Sequence, residues 1–222
     1  MLTLLYDTDV DSLTPDQKTK LDAKSDYCFC GLFAECDKII NASDLYFPSY
    51  LVDGVNTPEH HFTDMFRDCV NLRTADFYAS SGKLLDSAYE RMFLGCRSLI
   101  SAPHLPSTQL GPHCYQAMFA GCTSLVTAPE LPATTLVRGC YDRMFASYEY
   151  STFSKTYPAC TSLNYIKMDA PYTTEWEGHS EYSVQHPLRN WGDGITQDGT
   201  FVGDTAWLDD STIPGNLPSS WK

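Results

Sequence analysis

The residues of this sequence best able to do chemistry are its nine cysteines. Thiolates bind zinc when they come in close pairs, and they bridge when their Cα atoms lie within about 7 Å. Here only Cys28 and Cys30 are close in sequence. Cys36, Cys69, Cys96, Cys122 and Cys160 are far apart, as are Cys28, Cys114 and Cys140. Both sets keep a repeat spacing, not a ligand spacing. They are expected to be small buried hydrophobes in two columns, mostly reduced. His61 and Ala88 stand at the second column's place in other copies, which argues against obligatory pairs. Asp7-Thr8-Asp9-Val10-Asp11 opens like a calcium loop, but Ser12 stands where glycine is needed and Lys18 where a bidentate Glu belongs. Glu59-His60-His61 could suggest a metal or acid–base site, yet His61 falls on the second column. No Gly-x-Ser-x-Gly elbow and no phosphate-cradling loop occurs. The expectation is a chain with no catalytic residues, no metal site and no cofactor.

Those cysteines are held by a repeat. Ala88-Tyr89-Glu90-Arg91-Met92-Phe93-Leu94-Gly95-Cys96, Cys114-Tyr115-Gln116-Ala117-Met118-Phe119-Ala120-Gly121-Cys122 and Cys140-Tyr141-Asp142-Arg143-Met144-Phe145 are copies of one unit. Phe93, Phe119 and Phe145 follow one another at 26 residues. Ala102-Pro103-His104-Leu105-Pro106 matches Ala128-Pro129-Glu130-Leu131-Pro132 in the tails. Two earlier copies are degenerate, one around Phe66 and Cys69 and one around Phe33 and Cys36. In the fifth, residues 147–158 are inserted before Cys160 and Leu163, and insertions into arrays usually emerge as loops.

Tyr141, Met144 and Phe145 sit at i, i+3 and i+4, the spacing of one face of a helical turn. The Leu-x-x-Ala stretch that follows a cysteine reads as extended, and the proline after it limits helix continuation. Each unit is therefore expected to be one short helix, one turn and one short strand. A lone unit cannot bury its apolar face, whereas stacked units can.

The Met-Phe-x-x-Cys-x-x-Leu core resembles the BspA-type (treponemal-type) leucine-rich repeats of bacterial surface proteins. The long form with Ala-Pro-x-Leu-Pro is similar to versions found in gut Bacteroides and their phages. Asn190-Trp191-Gly192-Asp193-Gly194-Ile195, with Ile213-Pro214 and Ser220-Trp221, is similar to the ending of such arrays. The resemblance implies an α/β solenoid, a leucine-rich-repeat-like right-handed stack of short parallel strands and short helices with a cap at each end. The divisions expected are an N-terminal cap with a short helix over 1–26, five repeats over 27–170, and a C-terminal cap over 171–222. Thr14-Pro15-Asp16-Gln17 is a good start for that capping helix.

With 15 Lys and Arg against 28 Asp and Glu, the formal charge is −13, which repels phosphate backbones and argues against nucleic acid. No run approaches the roughly 20 apolar residues of a membrane span. The first residues lack a basic n-region and a cleavage site, so no secretory signal is read. Such a chain is expected to act where it is made, to leave inside a virus particle, or to have lost its signal. Together with the resemblance this points to a non-enzymatic binding or assembly protein. It would be an exposed virion structural or host-attachment component of a Bacteroides-type phage, or alternatively a bacterial cell-surface adhesin for host protein or glycan. A hydrolase is a distant further reading.

Repeat arrays bind partners through rows of side chains outside the core. After each repeat Leu, the second residue is Thr74, Ser101, Thr127 or Tyr165, expected to line up across neighbouring strands and flanked by His104 and Glu130. Small hydroxyls with one aromatic suit a protein or glycan partner within a larger virion or surface assembly, and these six residues are the candidate binding site.

Overall fold

A computed structural model of the chain describes residues 29–43, 57, 59–76, 79, 81–173 and 186–221. The Asp7–Asp11 stretch, the helix expected after Thr14 and Cys28 lie outside the described residues.

The expectation of an α/β solenoid is corrected by the backbone. Among the described residues the only α-helix is α1 (Ala206–Asp209), joined by one 3-10 turn at Ser151–Phe153. The strands are β1 (Tyr148–Tyr150), β2 (Lys155–Tyr157), β3 (Tyr165–Lys167) and β4 (Thr200–Val202). They make two two-stranded sheets, β1–β2 antiparallel and β3–β4 parallel. None of the repeated Tyr-x-x-Met-Phe segments is helical.

The reason is a left-handed residue at every fourth position: His60, Asp64 and Asp68 (φ 50°, 56° and 60°), then Ser87, Arg91 and Gly95, then His113, Ala117 and Gly121. An α-helix needs an unbroken right-handed run. Here the chain reverses twist every four residues and forms a ribbon of successive turns. In such a ribbon residues i and i+4 share a side, as in a helix, so Tyr89 and Phe93 both point inward. The i, i+3, i+4 spacing cannot separate the two conformations.

Backbone bonding explains why the ribbon persists. Thr63, Met65, Arg67 and Cys69 donate three residues back, to the carbonyls of His60, Phe62, Asp64 and Phe66. The alternate N–H groups of Phe62, Asp64, Phe66 and Asp68 donate instead to Ala88, Glu90, Met92 and Leu94 of the next unit, at 2.8–3.0 Å. Half of each ribbon's donors are thus satisfied only by a neighbour, which an isolated unit could not provide. The same ladder joins Tyr141, Arg143, Phe145 and Ser147 to Pro187, Arg189, Trp191 and Asp193, so residues 186–195 form a further rung.

The core is a set of ladders. Phe33, Phe66, Phe93, Phe119 and Phe145 stack in series, with ring centroids 5.3, 5.4, 5.7 and 5.9 Å apart. Phe29, Phe62, Tyr89, Tyr115 and Tyr141 form a second series. The cysteine column has a specific job. Cys69, Cys96, Cys122 and Cys160 donate Sγ–H to the carbonyls of Phe33, Phe66, Phe93 and Phe119 in the preceding unit, at 3.0–3.2 Å. Each of those carbonyls also accepts the N–H three residues on, so the thiol occupies its second lone pair.

The last rung is closed from the C-terminal side. Trp191, Trp207 and Trp221 are fully buried. Their indole N–H groups donate to Asn216 Oδ1, the Ala170 carbonyl and the Gln197 carbonyl. Gly192 has no side chain because Leu217 fills that space: a Cβ there would lie 2.6 Å from Leu217 Cδ2.

The 147–158 insertion is a hairpin folded back over the ribbons of earlier units. Tyr157 OH and Lys155 Nζ donate to Asp68 Oδ2 at 2.9 and 2.8 Å, and Tyr150 OH donates to Asp64. Arg67 lies over the Phe153 ring and Arg91 over the Tyr150 ring, at 4.5 and 4.9 Å. The Tyr157 ring rests on Gly95 and Gly121, both at positive φ, where a Cβ would come within 2.6 and 3.2 Å of it. The aromatic residues of this insertion are thereby engaged with their own chain.

Candidate binding surface

Beyond each repeat Leu the chain leaves the ribbon and runs extended, and its N–H and C=O groups point at the neighbouring units. Parallel bridges pair Asn41 with Thr74, Thr74 with Ser101, and Thr127 with Tyr165, and β3–β4 pairs Tyr165 with Thr200. Thr74 and Ser101 are therefore neighbours, as are Thr127 and Tyr165. No bridge joins Ser101 to Thr127. The row is two halves with a seam between the third and fourth units.

The seam is a gap in the bonding, not a single missing contact. At the junction before it, Ile100 N–H donates to Arg73, Ala75 to Ser101 and Ala79 to His104. At the junction after it, Asn164 donates to Val126, Ala128 to Tyr165 and Leu131 to Lys167. Between residues 98–112 and 124–137 no backbone hydrogen bond forms; bonding resumes only at Ser124 to Arg97 and at His113 to Arg138. By the register of the adjacent junctions, Val126 N–H would reach the Ile100 carbonyl, Ala102 N–H the Thr127 carbonyl and Leu105 N–H the Pro129 carbonyl. All six groups lack a partner among the described residues.

The ladder opens between the two proline-bearing tails. The third and fourth units alone carry the Ala-Pro-x-Leu-Pro tail. Pro103 and Pro106 stand in one tail and Pro129 and Pro132 in the other, so each tail has two φ angles fixed; the donors the register calls for, Val126, Ala102 and Leu105, are not prolines. The polar side chains follow the same division. His104 Nε2 turns to Asp76 Oδ1 of the second unit at 3.3 Å, and Lys167 Nζ of the fifth unit turns to Glu130 Oε1 at 3.1 Å. The hydrogen bond and charge of Glu130 hold the Lys167 ammonium above its ordinary pKa.

A hollow of about 750 Å³ lies over the seam. Its floor is apolar, with Leu105, Pro103, Ala128 and Pro129 buried. Ser101, His104, Thr127, Glu130 and Asp76 stand around it. Four of the six residues expected to bind thus line one cavity. Thr74 and Tyr165 lie outside it, each bridged to a lining residue. Asp76, Lys167 and the four prolines were not singled out from the sequence. The prolines stood in the sequence only as members of the repeated tail. Ile100 and Val126, 49% and 44% exposed, give the seam apolar shoulders, and Ile100 separates it from a second hollow of about 560 Å³ that Arg73, Asp37 and Asn71 help to line.

A serine, a histidine and an aspartate meet in the first hollow, which raises nucleophilic catalysis. Ser101 Oγ makes no hydrogen bond to His104, whose side chain is 58% exposed, so the base is neither coupled to the hydroxyl nor screened from water. Burial pushes the thiols of Cys69, Cys140 and Cys160 up to about 12 and those of Cys96, Cys114 and Cys122 well above their ordinary value, so none is an activated nucleophile. Among the described residues no three His, Cys, Asp or Glu side chains group to hold a metal ion, and no helix is long and apolar enough to cross a membrane. The arrangement offers hydrogen-bonding groups, apolar shoulders and negative charge on an open face. No protein-family model, no curated protein and no solved structure matches the chain.

Proposed function

We propose that this chain is a non-enzymatic binding and assembly protein that engages a protein or glycan partner through the face carrying Thr74, Ser101, His104, Thr127, Glu130 and Tyr165. The observation that carries this reading is the hollow over the third and fourth units, where Ser101, His104, Thr127 and Glu130 converge. The setting proposed is an exposed virion component of a Bacteroides-type phage that contributes to structure or host attachment; a bacterial cell-surface adhesin is the alternative. Both rest on the resemblance of the Met-Phe-x-x-Cys-x-x-Leu units to BspA-type repeats. The test is replacement of Thr127 and Tyr165 by arginine. Both side chains lie on the open face, so far-UV circular dichroism and melting should be unchanged while attachment of the labelled protein to Bacteroides cells is lost. Attachment that survives the double variant but fails when residues 147–158 are shortened would move the site to the hairpin and overturn the reading.

A further inference from the structure

The seam offers a row of main-chain groups as well as side chains. The N–H groups of Ala102, Leu105, Val126 and the carbonyls of Ile100, Thr127 and Pro129 are unpaired among the described residues, on two extended segments that flank one hollow. Unpaired strand edges are templates for another extended chain, which gains main-chain hydrogen bonds for affinity. We propose that the seam between the third and fourth units binds an extended, cationic polypeptide segment that completes the interrupted ladder. This rests on the binding role proposed above and names the partner's class.

Two further features select that occupant. A peptide presents N–H and C=O groups in alternation, matching three donors and three acceptors on the seam; a glycan presents hydroxyls with no such period. The charge is also one-sided. Asp76 and Glu130 stand at the rim, 59% and 73% exposed in their side chains, on a chain of formal charge −13. His104 pairs with Asp76 and Lys167 with Glu130, the two pairs reaching to opposite neighbours of the seam. Lysine or arginine in the bound segment is favoured and acidic segments are repelled.

The experiment selects the intact protein against a displayed library of random heptapeptides, then studies a synthetic peptide from the selection. The peptide is expected to be rich in Lys or Arg and to weaken as salt rises. Methylating its backbone nitrogens should weaken it by about three- to tenfold for each hydrogen bond lost. In the protein's amide NMR spectrum Ala102, Leu105 and Val126 should shift and gain protection from exchange. Asp76→Asn with Glu130→Gln, both at exposed positions, should reduce affinity without changing melting. Failure to select any peptide, or a selected peptide that leaves those three amides unprotected, overturns the proposal. Capture of glycans on an array, abolished by the arginine variants, would also overturn it while leaving the binding role of the face standing.

Discussion

Phe119→Ala isolates what the aromatic ladder contributes. Phe119 is fully buried and stacked on both sides, 5.7 Å from Phe93 at 2° and 5.9 Å from Phe145 at 8°. The change removes the ring and leaves its carbonyl, which accepts Cys122 N–H and Cys160 Sγ–H. Backbone bonding is therefore intact and the loss is one of packing. Truncating a buried phenylalanine costs about 3–5 kcal/mol, and neighbours fixed by main-chain bonds to adjacent units cannot collapse fully into the void. At roughly 2–4 °C per kcal/mol for a domain this size, melting should fall by about 6–20 °C. Phe33 supplies the internal control. It stands near the start of the ladder and is only half-buried, with Phe66 on one side at 5.3 Å. Phe33→Ala should cost about 1–2 kcal/mol, in keeping with partial burial. Urea unfolding of both variants measures the difference. A midpoint for Phe119→Ala within error of the wild type, or a Phe33→Ala effect as large, would refute the view that stability is concentrated in the middle rungs.

Two further outcomes follow from buried groups. In native protein at pH 8 a thiol reagent should react at Cys30, which is exposed although desolvation and Asp64 raise its thiol pKa, and not at Cys69, Cys96, Cys114, Cys122, Cys140 and Cys160; all nine cysteines should react after denaturation without reductant. Reaction of most thiols in the native state would contradict the thiol-to-carbonyl column. His186 is buried, accepts Leu188 N–H at Nδ1, and is pushed down to about 4 by desolvation, which Asp210 partly opposes. Its folded pKa lies below the ordinary value near 6.5, so the unfolded chain takes up the proton first. The stability at stake is present above about pH 6.5 and is lost as pH falls toward 4, up to about 3 kcal/mol. Urea midpoints of wild type and His186→Asn, compared from pH 7 to 4.5, should converge as the wild type loses that increment; parallel curves would sink the argument.

Which residues share a column was legible in the sequence, because identical types recur at one interval: Phe93, Phe119 and Phe145, or Cys96 and Cys122. The conformation between them was not. A four-residue turn period and a 3.6-residue helix place Tyr89 and Phe93 on the same side, and only the backbone's left-handed residues separate the two. Glycine at 95 and 121 was a partial signal, but Ser87, Arg91, His113 and Ala117 hold positive φ without glycine, since their N–H groups donate to the next unit and their carbonyls accept the N–H three residues on. The rung at 186–195 escaped notice for a related reason. Its identity lies in backbone bonds to Tyr141, Arg143 and Phe145, while Gly192 and Leu217 replace the phenylalanine that marks the other rungs.

The binding face shows how a repeat acquires one distinctive place. The row of hydroxyls could be read from spacing, and by itself it is uniform, with no position favoured over the next. The distinction comes from the non-repeating elements. The Ala-Pro-x-Leu-Pro tail occurs in two adjacent units only, and Asp76 and Lys167 belong to the units on either side of them. The ladder opens at that one junction, where His104 and Glu130 pair outward with the flanking units. The ribbon ladders do not open there: Phe93 N–H still reaches Met118 and Gly95 N–H still reaches Ala120, at 3.0 and 2.8 Å. The turn ribbons thus hold the two units in register while their tails share no backbone hydrogen bond, so the seam is held from both sides by the ribbons and less ordering remains to oppose binding.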